Sequence, residues 1–212
     1  MIAPTLPAMD GDLEALATVT LDDWAAFVVE QAKAIDGPVI LCGHSRGGIV
    51  ISSAAERDPD AFEALVYIAA FMLPSGMNLI EARDSMPRND AFDSGLSPVA
   101  KGAALAMSPE TAARIFYQDC DPADSAEAAA RLVPEPVAPL GTPLALTDAR
   151  YGRVPRHYVA CTLDEAIPLV QQRTMLETLP CASVTTLESG HSPFLGMPDR
   201  LADVLHSISE RI

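Results

Sequence analysis

The segment Gly43–Gly47 reads G-H-S-R-G and places a serine between two glycines. The apolar run Pro38–Cys42 precedes it and the apolar-periodic stretch Gly48–Arg57 follows it, so the sequence predicts a strand, a sharp turn and a helix. Such a turn holds its serine in a strained backbone conformation with the hydroxyl exposed. Glycines are expected around it because side chains there would collide with the neighbouring strand and helix. We therefore predict a nucleophilic Ser45; the alternative is a plain glycine-rich turn.

A nucleophilic serine needs a general base, and His191 is the best placed of the four histidines. It follows the β-rich run Ala182–Glu188 and precedes a helix predicted to begin near Pro198. We therefore predict that His191 lies on a loop after the last strand and acts as the base. The alternative is a loop histidine without a special role. Of the other three histidines, His44 is predicted to be a packing residue. His157 is predicted to lie at a strand entrance, and His206 on the polar face of a helix.

The base needs a carboxylate to orient it, and the expected chain order is serine, acid, histidine. The run Arg156–Cys161 predicts a strand, and Asp164 lies in the loop that follows it. Catalytic groups of α/β folds lie at such carboxyl ends of strands. Glu165 is the alternative acid. The loop after the strand predicted at Leu65–Ala70 offers no carboxylate in Phe71–Pro74.

With these motifs, the chain resembles the α/β-hydrolase superfamily, in the branch of plant methylesterases, hydroxynitrile lyases and related bacterial esterases. The resemblance implies the α/β class and the α/β-hydrolase fold, a mostly parallel sheet flanked by helices. It also implies one domain, residues 1–212, with a helical lid at about 75–147. The segments that carry the resemblance span almost the whole chain: Ile2–Pro7, Gly43–Gly48, Tyr67–Met72, Cys161–Pro168 and Ser189–Leu195.

Carried over by position, the resemblance implies a catalytic triad and one oxyanion donor. Ser45 would be the nucleophile, His191 the general base and acid, and Asp164 the orienting carboxylate. The backbone N–H of Arg46 would bind the oxyanion. Lyases of this branch carry a lysine directly after the catalytic histidine, where this chain has Ser192. A neutral side chain cannot stabilise cyanide in the same way, so hydrolysis of a small ester is favoured over cyanohydrin cleavage.

A second departure concerns the beginning of the chain. Members of the branch have a strand, a His-Gly loop with a further oxyanion N–H, and a helix before the stretch that matches Ile2. The missing strand would lie between strands at Ile2 and Val39, so its absence would leave backbone groups unpaired. Loss of one oxyanion donor typically costs about 10²–10³ in rate. Two interpretations stay open: a start codon assigned too late, or a sheet completed in another way, such as by a homodimer partner.

The insertion predicted between Pro74 and about Thr147 is rich in proline, and we expect helices there without strands. One helix is predicted over Pro109–Tyr117 with Ser108 as its cap, and another over Ala123–Leu132. Apolar side chains of this lid would either line an acyl or alcohol pocket or pack the lid onto the core. The predicted substrate-binding residues are Phe71, Met72 and Phe116.

Composition narrows the class of partner. The chain has 212 residues, which fits a single α/β domain. Its formal charge of −15 disfavours nucleic acid and anionic membranes. No apolar run approaches the ~20 residues of a membrane helix, and no signal peptide is visible, so a cytoplasmic location is expected. The spacing of the four cysteines matches no zinc site, and no motif calls for a metal or cofactor.

Overall fold

The computed structural model describes residues 1–85 and 89–212. The strands are β1 (Ile40–Ser45), β2 (Ala64–Ala70), β3 (Leu96–Val99), β4 (Ala104–Met107), β5 (Glu135–Pro136), β6 (Arg156–Cys161) and β7 (Ser183–Leu187). The helices are α1 (Leu13–Leu16), α2 (Leu21–Lys33), α3 (Gly47–Arg57), α4 (Leu79–Asp84), α5 (Asp90–Ser94), α6 (Pro109–Phe116), α7 (Pro122–Ala130), α8 (Val137–Gly141), α9 (Leu169–Thr178), α10 (Pro193–Gly196) and α11 (Pro198–Ser209).

The main sheet is parallel, with the strand order β1-β2-β6-β7 among the described residues. Strand β2 is buried along its whole length, as its continuous apolar sequence predicts for a strand covered on both faces. On one face Leu65 and Tyr67 join a core that includes α2 and α3, and on the other Val66 and Ile68 pack against α11. The prediction of a mostly parallel sheet flanked by helices is confirmed.

The elements that border the predicted site lie where the sequence places them. Strand β6 has the predicted bounds, and β1, β2 and β7 differ from the predicted runs by up to three residues. Helix α6 begins as predicted, because the hydroxyl of Ser108 accepts a hydrogen bond from the backbone N–H of Thr111. This cap fixes the start of a helix that packs close to the site.

The prediction that residues 74–147 lack strands is wrong. Within the described part of this insertion, β3, β4 and β5 form an antiparallel sheet. These strands are only two to four residues long and are rich in alanine and proline. Such segments have weak strand propensity and no visible alternation of apolar and polar residues, so they give almost no sequence signal.

The N-terminal segment does not form the strand implied at Ile2. Residues 1–6 are neither helix nor strand, and Ile2 is 66% exposed. The edge of β1 away from β2 has no partner strand among the described residues. An extended segment becomes part of a sheet only when it pairs with a neighbouring strand. Residues 1–6 do not pair with β1. Cys42 of β1 is exposed.

Candidate active site

Ser45 lies at the sharp turn between β1 and α3. Its φ of +53° is in the left-handed region that residues with a Cβ rarely adopt, and its carbonyl oxygen accepts a hydrogen bond of 3.0 Å from the backbone N–H of Phe71. A Cβ on Gly43 would lie 2.7 Å from the carbonyl oxygen of Gly47, and one on Gly48 would overlap the carbonyl oxygen of Phe71. At Gly47 a Cβ would meet nothing within 4 Å, so the glycines required by packing are 43 and 48.

Asp164 and His191 are brought together from the loops after β6 and β7. His191 Nδ1 lies 2.8 Å from Asp164 Oδ2, and both residues are buried. The other carboxylate oxygen of Asp164 accepts hydrogen bonds from the backbone N–H groups of Ala166 and Ile167, at 2.8 and 2.9 Å. The carboxylate accepts the Nδ1–H of the ring, which leaves Nε2 as the basic nitrogen. Glu165, the alternative acid, is exposed.

Ser45 and His191 line the same cavity, which has a volume of about 720 Å³. The floor is the carboxyl end of the main sheet and the opposite wall comes from the insertion. Phe71 and Phe116 both line it, and the ring of Phe116 lies 5.3 Å from the His191 imidazole. The aliphatic and thioether side chains that the insertion contributes to the wall are Leu79, Leu96, Leu105, Met107, Leu132, Val133 and Leu140.

Met72, predicted to bind substrate, lies elsewhere. It is fully buried, with its backbone N–H 3.4 Å from the sulfur of Met175 and its own sulfur 3.6 Å from Cys181 Sγ. Consecutive residues of an extended segment point to opposite sides. Because Phe71 faces the cavity, Met72 is directed into the core, and the structure does not bring it to the substrate site.

His44 has a role that sequence reasoning did not foresee. Its Nε2 lies 2.7 Å from the carbonyl oxygen of His191, and the two rings have centroids 4.5 Å apart. Burial, and then the neighbouring His191, lower the pKa of His44 from 6.5 to about 3. The neutral ring therefore donates its Nε2–H to that carbonyl and holds the base loop. The sequence predicts only a packing role for His44.

Gln172 supports the acid loop in a similar way. Its side chain is fully buried and bonds both backbone groups of Cys161, at 3.0 and 2.9 Å, and the carbonyl oxygen of Ile167 at 2.8 Å. These bonds connect the end of β6 to the turn that follows Asp164. A polar residue on the buried face of a helix indicates in the sequence that Gln172 has buried hydrogen-bond partners. The sequence does not show which groups these partners are.

Arg46 follows Ser45 and is the N-cap residue of α3, so its backbone N–H lies at the positive end of a helix. Its guanidinium binds other side chains. Arg46 Nε lies 2.5 Å from Glu135 Oε2 on β5, and the guanidinium stacks 4.6 Å from the centre of the Trp24 ring. The side chain therefore connects the turn to the insertion.

Residues 1–85 and 89–212 contain neither a metal-binding cluster nor a membrane-spanning helix. No group of three or more histidine, cysteine, aspartate or glutamate side chains could hold a metal ion there. In the same ranges, every helix is too short or too polar to cross a membrane.

Residues 1–204 match the alpha/beta hydrolase family, and the chain belongs to that family. Pyrethroid hydrolase of Sphingobium wenxiniae is 27% identical over 94% of this chain and 74% of its own. Methylesterase 17 of Arabidopsis thaliana is 32% identical over 76% of this chain and 62% of its own. The crystal structure of polyneuridine aldehyde esterase superposes with a TM-score of 0.79 at 25% identity, over 90% of this chain and 80% of that one.

Proposed function

We propose that this protein is a serine hydrolase that cleaves a small, mostly apolar carboxylic ester through an acyl-enzyme. The observation that carries the proposal is the 2.8 Å contact between His191 and Asp164 beside a cavity that Ser45 also lines. The names of the three similar proteins, a pyrethroid hydrolase, a methylesterase and polyneuridine aldehyde esterase, fit the same reaction class.

The mechanism follows from the roles of these groups. His191 Nε2 takes the proton of the Ser45 hydroxyl as its oxygen attacks the ester carbonyl, and Asp164 stabilises the imidazolium that forms. The backbone N–H of Arg46 donates to the developing oxyanion. The imidazolium then protonates the departing alcohol. Water, deprotonated by the same imidazole, hydrolyses the acyl-enzyme and releases the acid.

The substrate class follows from the cavity. Its volume of about 720 Å³ lies within the range of pockets that enclose a small molecule. Phe71, Phe116 and the leucine-rich wall of the insertion give it more apolar than polar surface. A small ester with an apolar acyl or alcohol part fits this lining better than a sugar or a peptide. We further propose a cytoplasmic location, and the homodimer stays a prediction.

The test replaces the nucleophile. We expect Ser45→Ala to abolish hydrolysis of p-nitrophenyl acetate while the circular dichroism spectrum is unchanged. A fluorophosphonate probe should label the wild-type protein at Ser45 and should not label the variant. Equal hydrolysis by the folded variant would refute the proposal.

A binding-only protein is the second candidate, because among the described residues the edge of β1 away from β2 has no partner strand and the Arg46 N–H is the one oxyanion donor that we assign. This candidate predicts that the wild-type protein reacts with neither the ester nor the fluorophosphonate, yet still binds small apolar esters.

Cyanohydrin cleavage is the remaining alternative, and release of cyanide from mandelonitrile would support it. The residue after His191 argues against it, since Ser192 is neutral and buried.

A further inference from the structure

Two consecutive residues of the insertion, Gln118 and Asp119, reach the loops that carry the acid and the base. Gln118 Nε2 donates a hydrogen bond of 2.7 Å to the carbonyl oxygen of Leu163. Asp119 Oδ2 accepts hydrogen bonds from the backbone N–H of Gly190, at 2.5 Å, and from the hydroxyl of Ser189, at 3.3 Å. We call this pair of side chains the bracket.

The bracket acts on the residues directly before two members of the triad. Leu163 precedes Asp164, and Gly190 precedes His191. The two loops are also joined to each other, because the backbone N–H of Leu163 donates to the carbonyl oxygen of Ser189 at 2.9 Å. The bracket and this bond therefore set the separation between the backbone segments from which the carboxylate and the imidazole project.

The fit between the bracket and the base loop depends on a glycine. A Cβ on Gly190 would overlap the carboxylate of Asp119 and lie 2.6 Å from Gln118 Nε2. Any other residue at 190 would push the bracket off the loop. Residues 189–191 are buried, so the contact is shielded from water on the loop side.

The bracket is held from behind by the helices of the insertion. It lies in the short connection between α6 and α7, next to Phe116 and Tyr117, which pack in a small cluster with residues of both helices. Asp121, two residues further on, only caps its own helix by accepting from the backbone N–H of Ala123 at 2.8 Å. Asp119 and Asp121 therefore share a loop and a side-chain type and differ in what they bind.

We propose that Gln118 and Asp119 are positioning residues that hold Asp164 and His191 in hydrogen-bonding register, so that the insertion aligns the triad as well as covering it. This inference rests on the proposed function. Misplacement of a catalytic group by about 1 Å can cost about 10²-fold in rate. The bracket therefore acts on kcat, whereas a substrate contact would act on KM.

The experiment compares three bracket variants with the matched control Asp121→Ala. Asp119→Ala removes the acceptor, and Gln118→Met removes the donor at nearly constant shape. We expect each to lower kcat for p-nitrophenyl acetate and the rate of fluorophosphonate labelling by about 10- to 100-fold, with KM changed less than about threefold. Asp119→Asn keeps an oxygen acceptor for Gly190 and is expected to retain kcat within about threefold.

Asp121→Ala is expected to lower the melting temperature about as much as Asp119→Ala while it leaves kcat unchanged. The inference is overturned if Asp119→Ala keeps wild-type kcat, if the loss is confined to KM, or if Asp121→Ala loses kcat equally. Failure of the proposed function gives a different result, a wild-type protein that neither hydrolyses nor labels. In that case the far-downfield proton resonance of the His191 Nδ1–H decides: the inference requires that Asp119→Ala broadens or shifts it and that Asp121→Ala does not.

Discussion

The two halves of the site differ in how completely the fold supports them. The acid-base half lies between β6 and β7, where Asp164 accepts hydrogen bonds from His191 and from two backbone N–H groups in a buried environment. His44 and Gln172 hold the two loops from beneath. The oxyanion half lies at the end of β1, which is the edge of the sheet among the described residues. There, the backbone N–H of Arg46 is the proposed oxyanion donor.

Most of the contacts that align Asp164 and His191 lie on the β6–β7 side of the sheet, whereas the proposed oxyanion donor lies at the end of β1. The hydrogen bonds that align the proton-transfer groups come from the loop after β6, from Gln172 of α9, from His44 of β1 and from the insertion. They do not depend on what lies beyond the open edge of β1. The proposed enzyme is therefore expected to activate its serine through contacts that are separate from the proposed oxyanion donor.

The largest effect is expected in the acid-base half, from Asp164→Asn. The amide can still accept the backbone N–H groups, but its NH₂ facing the ring would favour the tautomer with the proton on Nε2. We expect kcat for p-nitrophenyl acetate to fall by about 10³–10⁴-fold with little change in the melting temperature. Glu165→Gln, on the neighbouring exposed side chain, is the control and should retain kcat. An equal loss of kcat in Glu165→Gln would show that the assignment of Asp164 as the acid is wrong.

The turn that joins the two halves is tested by a pair of glycine substitutions. Gly48→Ala places a methyl group against the carbonyl oxygen of Phe71, and we expect the free energy of unfolding to fall by about 3 kcal/mol. Gly47→Ala enters open space at the start of α3 and should change it by less than about 1 kcal/mol. Urea unfolding of the two variants measures both. Equal destabilisation would mean that the turn requires glycine for its backbone conformation and not because of the contact with Phe71.

The pH dependence of stability reports on His44. Its folded pKa of about 3 lies below the unfolded value of 6.5, so the unfolded chain binds the proton more readily. Stability is therefore full above pH 6.5 and is lost as the pH falls toward 3. From pH 7.5 to 5.5 this group should lower the free energy of unfolding by about 1 kcal/mol. We expect His44→Gln to remove that contribution from the pH profile; a variant with the wild-type slope would contradict it.

The smallest effect is expected where the oxyanion half meets the insertion, from Glu135→Gln. The ion pair with Arg46 is partly exposed, with side-chain accessibilities of 22% and 39%, so screening limits its value to less than about 1 kcal/mol. We expect KM to rise less than about threefold and kcat to hold. At 0.5 M salt the KM values of the variant and of the wild-type protein should become equal, because salt screens the ion pair. A large loss of kcat would show that the Arg46 side chain sets the position of its own N–H.

The parts of the fold and site that could be predicted are those with local signals. Strand β6, the cap at Ser108 and the turn at Ser45 follow from apolar runs and from the residue types that turns and helix ends require. The strands of the insertion could not be predicted, because their short alanine- and proline-rich segments are stabilised by one another. Met72 was placed wrongly because the direction of a side chain after β2 depends on a register that the composition does not reveal.

The sequence by itself determined the class of the fold and the residue types able to form a triad, since strand burial, turn chemistry and chain order are properties of neighbouring residues. The tertiary structure alone decided that Asp164 and not Glu165 meets His191, that His44 binds the base loop, and that Gln118 and Asp119 reach across to both loops. These contacts join residues 27 to 147 positions apart. Hydrogen bonds form over about 3 Å in space, and which distant groups come that close is decided when the layers of the fold pack together.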